Sequence, residues 1–438
     1  MNELKNYICY KSEFKRILSC ISGNYIYDNN KIISKLDVLY SAKLIASCIQ
    51  KGEYISNSLP NCPEWWMVTL AAFLAGAIVI VYPNEKIIDE IISMNEKYGV
   101  KVAFFSKKEV HQLLIKIKKP RDCYTYDGGL VLFTSGTQHN PKGVLIEYYN
   151  YIPSLIATQN KLHMTNTDKT SCFAPYSHAM GFMYGLCNFC YGGNFYICKN
   201  QLELINLIIK CKVDTVCLQP IFLEDMLKVD SFTKSISSLK YVIIAGAPIS
   251  KSAYDYYCNN GTKILNAYGM TECVAAIAIT DSIMNDNNDC GSDIMDLIDI
   301  KISCEGEILV SGPTVCKKYI NGKLIPDNDG WYHTHDIGKV QNNKLYIFGR
   351  MDNVIVCQNG YKISLESIED KVLKISEIDA CVAKYINKHL IIDIVSKSDK
   401  EELYILVDKQ LEYFEKPFKI EKVRNIEVYN GKKRRTIK

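Results

Sequence analysis

The most apolar stretch of the chain is Met67 to Tyr82, MVTLAAFLAGAIVIVY. Its 16 residues fall short of the roughly 20 needed to cross a bilayer, so no membrane span is expected. The first half is rich in Ala and Leu, and after Gly76 the second half alternates Ile and Val. That change of period reads as a buried helix turning directly into a buried strand. The same rhythm recurs along the chain. Val38 to Gln50 reads as helix, and Ile87 to Tyr98 as helix before the strand-like Val100 to Phe105. Leu202 to Cys211 reads as helix before Asp214 to Leu218, and the apolar Tyr241 to Ile244 runs into Ala245-Gly246-Ala247-Pro248. Such alternation predicts an α/β fold with largely parallel sheets.

The texture changes at about 296–350, where short β-rich segments (DIKIS, GEILVSG, KLYIFG) are separated by Asn, Asp and Gly turns. A small β subdomain is expected there. Beyond Asp352 a new unit begins, with strands near Val354 to Val356, Ala380 to Lys384 and His389 to Val395 and a helix near Leu365 to Lys374. The domain boundary is therefore expected at Met351 to Asp352, dividing 1–351 from 352–438. At 438 residues the chain exceeds what a single hydrophobic core supports.

Composition narrows the function class. With 48% hydrophobic and 23% charged residues, the chain has the balance of a soluble globular protein. A net charge of +4 is too weak for a dedicated nucleic-acid binder. Eighteen cysteines are scattered along the chain, and the N-terminal MNELKNYICYKSEFK lacks a signal-peptide core. A reduced, cytoplasmic compartment is expected, with most thiols acting as small buried apolar groups. Cys187 and Cys190 have CxxC spacing, but no second pair of ligands completes a zinc site.

Leu132 to Val144, LFTSGTQHNPKGV, carries the sharpest chemical signal. An apolar strand ends in Thr134-Ser135-Gly136-Thr137, and Pro141-Lys142-Gly143 follows. Hydroxyls and backbone N–H groups on a glycine-containing turn can cradle phosphate, and a nearby lysine supplies positive charge. The segment is not a Walker P-loop, because GxxxxGK[ST] is absent. A polar turn joining two strands is the plain alternative.

Taken together, the motifs resemble those of the adenylate-forming superfamily: acyl-CoA synthetases, nonribosomal peptide synthetase adenylation domains and luciferases. The 132–144 segment resembles the phosphate loop TSGTTGxPKG, with Asn150 at the usual distance. Pro175 to Gly181 (PYSHAMG) is similar to the acyl-pocket segment, Ala245 to Pro248 to the GGAP turn, and Asn266 to Glu272 (NAYGMTE) to NxYGxTE. Gly330 to Asp336 (GWYHTHD) resembles GWxxTGD, and Gly349 to Asp352 (GRMD) resembles GRxD. Gly360 to Glu369 and the C-terminal Asn430-Gly431-Lys432 complete the order.

The resemblance implies a large N-terminal AMP-binding domain and a small, mobile α+β lid, with Asp352 as the hinge. It also implies ATP and Mg²⁺, with Thr134, Ser135, Gly136, Thr137, Lys142, Gly246, Ala247, Pro248, Asn266, Tyr268, Gly269, Asp336 and Arg350 around the nucleotide. Each role suits its residue. The ring of Tyr268 suits an adenine face, and the hard oxygen of Glu272 suits Mg²⁺ shared with phosphates. Asp336, reinforced by Arg350, suits the ribose hydroxyls. Thr271, His178 and Lys432 are the catalytic candidates. Lys432 would bridge the acid's carboxylate and the α-phosphate, where two anions meet and charge moves. By composition alone it belongs to a solvated basic tail, and Lys433 is the register alternative.

Three positions depart from the family pattern. Gln138 and His139 stand where it has Thr-Gly, and His335 where it has Gly. Losing glycine is expected to stiffen these loops and to exclude φ > 0. The acid pocket, His178-Ala179-Met180-Gly181, carries no carboxylate to meet an α-ammonium, whose unpaired burial would be costly. The acid is therefore expected to lack an α-amine, and Met180, Phe182 and Met183 suggest an apolar acyl or aryl group. The acceptor is a thiol on coenzyme A or on a phosphopantetheine carrier protein, and a stand-alone biosynthetic ligase is expected. A non-catalytic nucleotide- or partner-binding homologue and a luciferase-type oxygenase are the competing readings.

Overall fold

Proline at the first turn and a left-handed glycine at the end bound the helix Pro63–Ala75. Pro63 lacks only an N–H that would be unsatisfied anyway, and Gly76 (φ 75°) turns its own N–H back to the Ala72 carbonyl. The strand Ile78–Val81 follows at once, as the change of period at Gly76 predicts. Every residue of the helix is buried, so it forms the centre of a core rather than its edge.

The computed structural model describes the chain apart from residues 1, 29, 84–85, 122, 135–141, 234–238, 247–248, 250, 281–290, 352–353, 357–361, 387–388, 412–414, 427, 430–431 and 434–438. For several further residues, 432–433 among them, it describes the backbone alone. The chain forms two compact units, one of 1–281 with 294–299 and 311–332, the other of 282–293, 300–310 and 333–438.

In the first unit one sheet runs, in spatial order, Ala275–Thr280, Lys263–Met270, Tyr241–Ala245, Thr215–Leu218, Lys169–Cys172, Asn194–Tyr196, Asn24–Tyr27 and Lys31–Ser34. From Lys263–Met270 to Asn24–Tyr27 each neighbouring pair is parallel. A second sheet runs Lys318–Tyr319, Gly143–Ile146, Gly129–Phe133, Ile78–Val81, Tyr54–Asn57 and Val102–Phe104, parallel from Gly129–Phe133 onward. The segments read as helix correspond to Lys35–Ala46, Ile88–Tyr98 and Gln201–Asn206, the last continued by a π-turn over Leu207–Cys211.

An aromatic core locks three helices together. Trp66 stacks on Phe182 (centroids 6.2 Å apart) and on Phe189 (6.1 Å), both from the helix Ala179–Tyr191. Phe73 stacks on Tyr151 at 4.5 Å, from the helix Tyr148–Leu162. Each such ring, fully buried, stabilises the fold by roughly 1.5–3 kcal/mol. Cys187 and Cys190 lie buried in the same core.

The second unit contains the strands Glu307–Ser311, Tyr332–Gln341 and Lys344–Arg350 as spatial neighbours. Asn342 and Asn343, at φ 52° and 59°, form the two-residue turn that suits a right-twisted hairpin. Its register sets Asp336 directly opposite Arg350. A separate core gathers Leu365, Ile368, Val372, Ile392, Ile394, Leu403, Val407 and Ile420. It is built on the strands Ile378–Ile386, His389–Ser396 and Lys419–Lys422 and the helices Leu365–Val372 and Lys400–Gln410.

One buried cation joins distant parts of the first unit. Lys35, fully buried, donates from Nζ to the carbonyls of Asn188 (2.6 Å) and Gly192 (2.8 Å), closing the open end of the helix Ala179–Tyr191. Burial pushes its amine down to about 7. Between pH 7 and the ordinary lysine value of 10.5, the unfolded chain holds a proton that the folded chain does not. Stability should therefore rise with pH through this window and lie on its low plateau below it. The melting temperature of the wild type is expected to gain more from pH 7 to pH 9 than that of Lys35→Met. Parallel curves would mean that the ammonium stays charged in the fold.

Candidate active site

Three of the recognised segments lie where parallel strands of the first unit end. Lys169–Cys172, Thr215–Leu218, Tyr241–Ala245 and Lys263–Met270 are consecutive parallel neighbours. Their C-terminal ends lead into Pro175 to Gly181, Gln219-Pro220, Gly246 and Thr271-Glu272 respectively. Ligands of open α/β sheets bind at this edge, because connections leave it there and helix N-termini face it. Within the ladder Ile244 lies opposite Asn266, and Ala245 opposite Ala267. Asn266 and Tyr268 are half-buried. Gly246 takes φ 87°, a conformation that favours glycine. Ser135, Gly136, Thr137, Gln138, His139, Ala247 and Pro248 lie outside the described residues.

The phosphate segment closes a hairpin. Gly129–Phe133 and Gly143–Ile146 pair antiparallel, with Phe133 opposite Gly143, and the Thr134 N–H donates to the Lys142 carbonyl at 2.9 Å. The strand Lys318–Tyr319 adds to the outer edge against Leu145 and Val144. Tyr319 thereby meets both candidate phosphate groups. Its hydroxyl donates to Glu272 Oε1 at 3.1 Å, and Lys142 Nζ lies 5.7 Å from its ring centroid. Burial first, and then the Glu272 charge, raise the Tyr319 phenol, so it remains a donor. The Cys316 N–H donates to the Glu272 carbonyl at 2.8 Å. Asn150 Nδ2 holds the segment leading into that strand through the carbonyls of Pro313 and Val315 at 2.9 and 3.2 Å.

Thr271 to Cys273 form one 3₁₀ turn, with Thr271 half-buried and Glu272 buried. After it Val274 and Ala275 take φ 55° and 99°, costly for residues with a Cβ. The Val274 carbonyl is held by Ser154 Oγ at 3.1 Å. A Cβ on Gly269 would stand 1.6 Å from the Ala275 carbonyl oxygen, which is why the segment needs glycine there. A buried, anchored carboxylate suits Mg²⁺, which is commonly held by one or two carboxylates together with substrate phosphates. Among the described residues no group of three or more His, Cys, Asp or Glu could hold a metal by itself.

The acid segment turns sharply into its helix. His178 donates its N–H to the Pro175 carbonyl (3.0 Å), and its own carbonyl accepts from the Phe182 N–H (2.8 Å). Asn61 pins the turn from the other side. Its Nδ2 donates to the Ala174 carbonyl, and its Oδ1 accepts from the Tyr176 N–H. A Cβ on Gly181 would stand 2.1 Å from the Pro175 oxygen. His178, Ala179 and Met180 remain half-exposed. Phe182 and Met183, expected at an apolar pocket, are instead 0% and 2% exposed. Residues one turn further into a packed helix face its core, so these two are core.

In the second unit Arg350 donates from one guanidinium nitrogen to Asp336 Oδ1 (3.1 Å) and to the Thr334 carbonyl (2.9 Å). Asp336 is buried. The expectation that His335 excludes φ > 0 fails, because His335 takes φ 57°. The left-handed cost of roughly 1–2 kcal/mol for a residue with a Cβ is offset by Glu307, whose Oε1 accepts from the His335 N–H at 2.9 Å. Lys432 and Lys433 pair with Tyr429 and Val428 in a two-stranded ribbon. Asp352 lies outside the described residues. The sequence reading does not single out Tyr319, Asn61 or Glu307. Tyr319 ends a two-residue edge strand, and Asn61 and Glu307 act through contacts distant in sequence.

The chain is similar in sequence and in fold to known proteins. The family model described as "AMP-binding enzyme" matches residues 125–320. A 2-succinylbenzoate–CoA ligase of Listeria monocytogenes is 24% identical over 366 residues, 77% of each chain. The 4-coumarate–CoA ligase 1 of Petroselinum crispum is 23% identical over 443 residues, 85% of this chain and 81% of its own. Among solved structures, ATP-bound MatB from Rhodopseudomonas palustris superposes with a TM-score of 0.83 at 17% identity, covering 96% of each chain. The Bacillus subtilis o-succinylbenzoate CoA synthetase bound to its acyl-adenylate gives 0.79 at 19% identity, covering 95% of each. The chain thus shares the fold of these synthetases along nearly its whole length, and its residues 125–320 match the AMP-binding enzyme family in sequence.

Proposed function

We propose that the chain is an AMP-forming acid–thiol ligase, which condenses a carboxylic acid with ATP to an acyl-adenylate with release of pyrophosphate, and then transfers the acyl group to the thiol of coenzyme A with release of AMP. The observation that carries this reading is the convergence of Lys142, Tyr319 and Glu272 beside a sheet edge that also presents Tyr268, Gly246 and the His178 turn. Lys142 meets the polyphosphate as a point charge. Glu272, steadied by Tyr319, would hold Mg²⁺, which when bound would neutralise phosphate charge. Tyr268 lies against the adenine, and Asp336 with Arg350 takes the ribose hydroxyls. Lys432 meets the acid's carboxylate as it attacks the α-phosphate, where a fixed cation lowers the barrier most.

His178 to Gly181 face the acid. No carboxylate stands between Pro175 and Met183, which supports an acid without an α-amine. The domain division at Met351 to Asp352, with Asp352 as hinge, lets one lid serve the two half-reactions in turn. Coenzyme A is the acceptor of the ligases above by name. An acyl or peptidyl carrier protein bearing the same arm is the alternative acceptor. Buried, unbridged thiols such as Cys172, Cys187 and Cys217 support a reducing, cytoplasmic setting.

Hydroxamate formation with ATP, Mg²⁺ and a panel of aryl and aliphatic acids tests the activity. Lys432→Ala should lower the rate on the order of 100-fold, as loss of one transition-state contact does, with ATP binding retained. Equal rates for wild type and variant with every acid would return the non-catalytic reading. Thioester assays on the responsive acid, with coenzyme A in one arm and a phosphopantetheinylated carrier in the other, decide the acceptor.

Tyr319→Phe removes the hydroxyl from Glu272 and keeps the ring beneath Lys142. It should raise the Mg²⁺ concentration that half-saturates ATP binding by roughly fivefold, the worth of one hydrogen bond of about 1 kcal/mol. An unchanged Mg²⁺ titration would show that the phenol does not steady the carboxylate.

A further inference from the structure

Glu307 is a buried carboxylate outside every recognised motif, yet both of its oxygens serve the segment that carries Asp336. Oε2 lies 2.8 Å from His333 Nδ1. A carboxylate can only accept, so this contact fixes the Nδ1–H form of that imidazole. Oε1 accepts from the His335 N–H at 2.9 Å and lies 3.4 Å from His335 Nδ1. One carboxylate thus holds the residues at positions 333 and 335, on either side of Thr334.

Thr334 is gripped as well. Its hydroxyl donates to the Ile308 carbonyl at 2.8 Å and accepts from the Asp336 N–H at 3.1 Å. Its carbonyl accepts from Arg350, which also donates to Asp336 Oδ1. These contacts tie the backbone around Asp336 to the strand Glu307–Ser311 and to Arg350. The constraint is needed because His335 occupies a left-handed conformation at φ 57° that glycine adopts without strain. Glu307 meets both the N–H and the ring of that histidine, and a relaxed His335 would swing the neighbouring Asp336.

We propose that Glu307 is a positioning residue for the ribose: it stands in for the glycine missing at position 335 by clamping His335 through its N–H and imidazole, so that Asp336 is presented in a fixed orientation. This rests on the reading of Asp336 as the ribose ligand. The clamp acts on discrimination of the sugar hydroxyls rather than on general affinity for triphosphate. Its effect is also conditional on the histidine, which separates it from a merely structural carboxylate.

The test measures binding of ATP and 2′-deoxy-ATP to the full chain by calorimetry, with melting curves to confirm folding. Wild type should prefer ATP, and Asp336→Asn should lose the preference. Glu307→Ala should weaken ATP binding roughly tenfold, the worth of one hydrogen bond to a charged group, and leave 2′-deoxy-ATP binding within about twofold. Glu307→Gln, whose amide oxygen still accepts from the His335 N–H, should keep most of the preference. Glu307→Ala combined with His335→Gly should regain it. If Glu307→Ala does not fold, Glu307→Leu fills the volume and carries the same expectations. The proposal is overturned if the Ala or Leu variant keeps the preference, or if His335→Gly fails to restore it. If Asp336→Asn itself keeps the preference, the ribose reading of Asp336 falls and takes the proposal with it.

Discussion

The first unit depends on a parallel ladder in which Lys169–Cys172, Thr215–Leu218, Tyr241–Ala245 and Lys263–Met270 run side by side in one direction. Because the strands are parallel, each return connection must cross the sheet, and each strand releases its next segment at the same edge. Segments separated by as much as the span from Pro175 to Glu272 thereby come to one edge of the sheet. The acid turn, the Gly246 turn and the Thr271-Glu272 turn owe their proximity to this ladder and to no direct bond among them. The aromatic packing of Trp66 on Phe182 and Phe189 fixes the helix behind the acid turn, so that edge has a rigid back.

In each unit, backbone strain and a polar anchor occur together. Val274 and Ala275 sit at positive φ directly after the carboxylate Glu272, and His335 does so directly before the carboxylate Asp336. Each strained turn is held by a side chain from elsewhere: Ser154 at the Val274 carbonyl and Glu307 at the His335 N–H. Residues in sparsely populated conformations persist only where their surroundings over-determine them. Each anchor holds a backbone group close to a buried carboxylate, Glu272 in one unit and Asp336 in the other.

Much of the architecture was legible because it rests on local rules. The break at Gly76 marks the passage from helix to strand, since glycine alone takes the left-handed cap without a Cβ penalty. The segments around Ile88–Tyr98, Thr215–Leu218 and Tyr241–Ala245 follow from periodicity and flanking turns. The nucleotide candidates were legible for a different reason: they stand in an ordered set of short motifs whose residue types fit phosphate, metal and sugar. Phe182 and Met183 misled, because apolar residues beside a pocket segment look alike whether they face a ligand or a core.

The amino-acid sequence alone determined the alternation of elements, the order of the motifs and the choice of Lys142, Tyr268, Glu272, Asp336, Arg350 and Lys432 as candidates, because these depend on residues within a few positions of one another. Only the tertiary structure decided what supports them. Tyr319 reaches Glu272 from 47 residues away, Asn61 reaches the acid turn across 115, and Glu307 steadies His335 from the next strand over. Those partnerships follow from strand register and edge pairing, where a shift of one residue turns every side chain to the opposite face. That choice is made by the packed sheet as a whole, not by any local stretch of the chain.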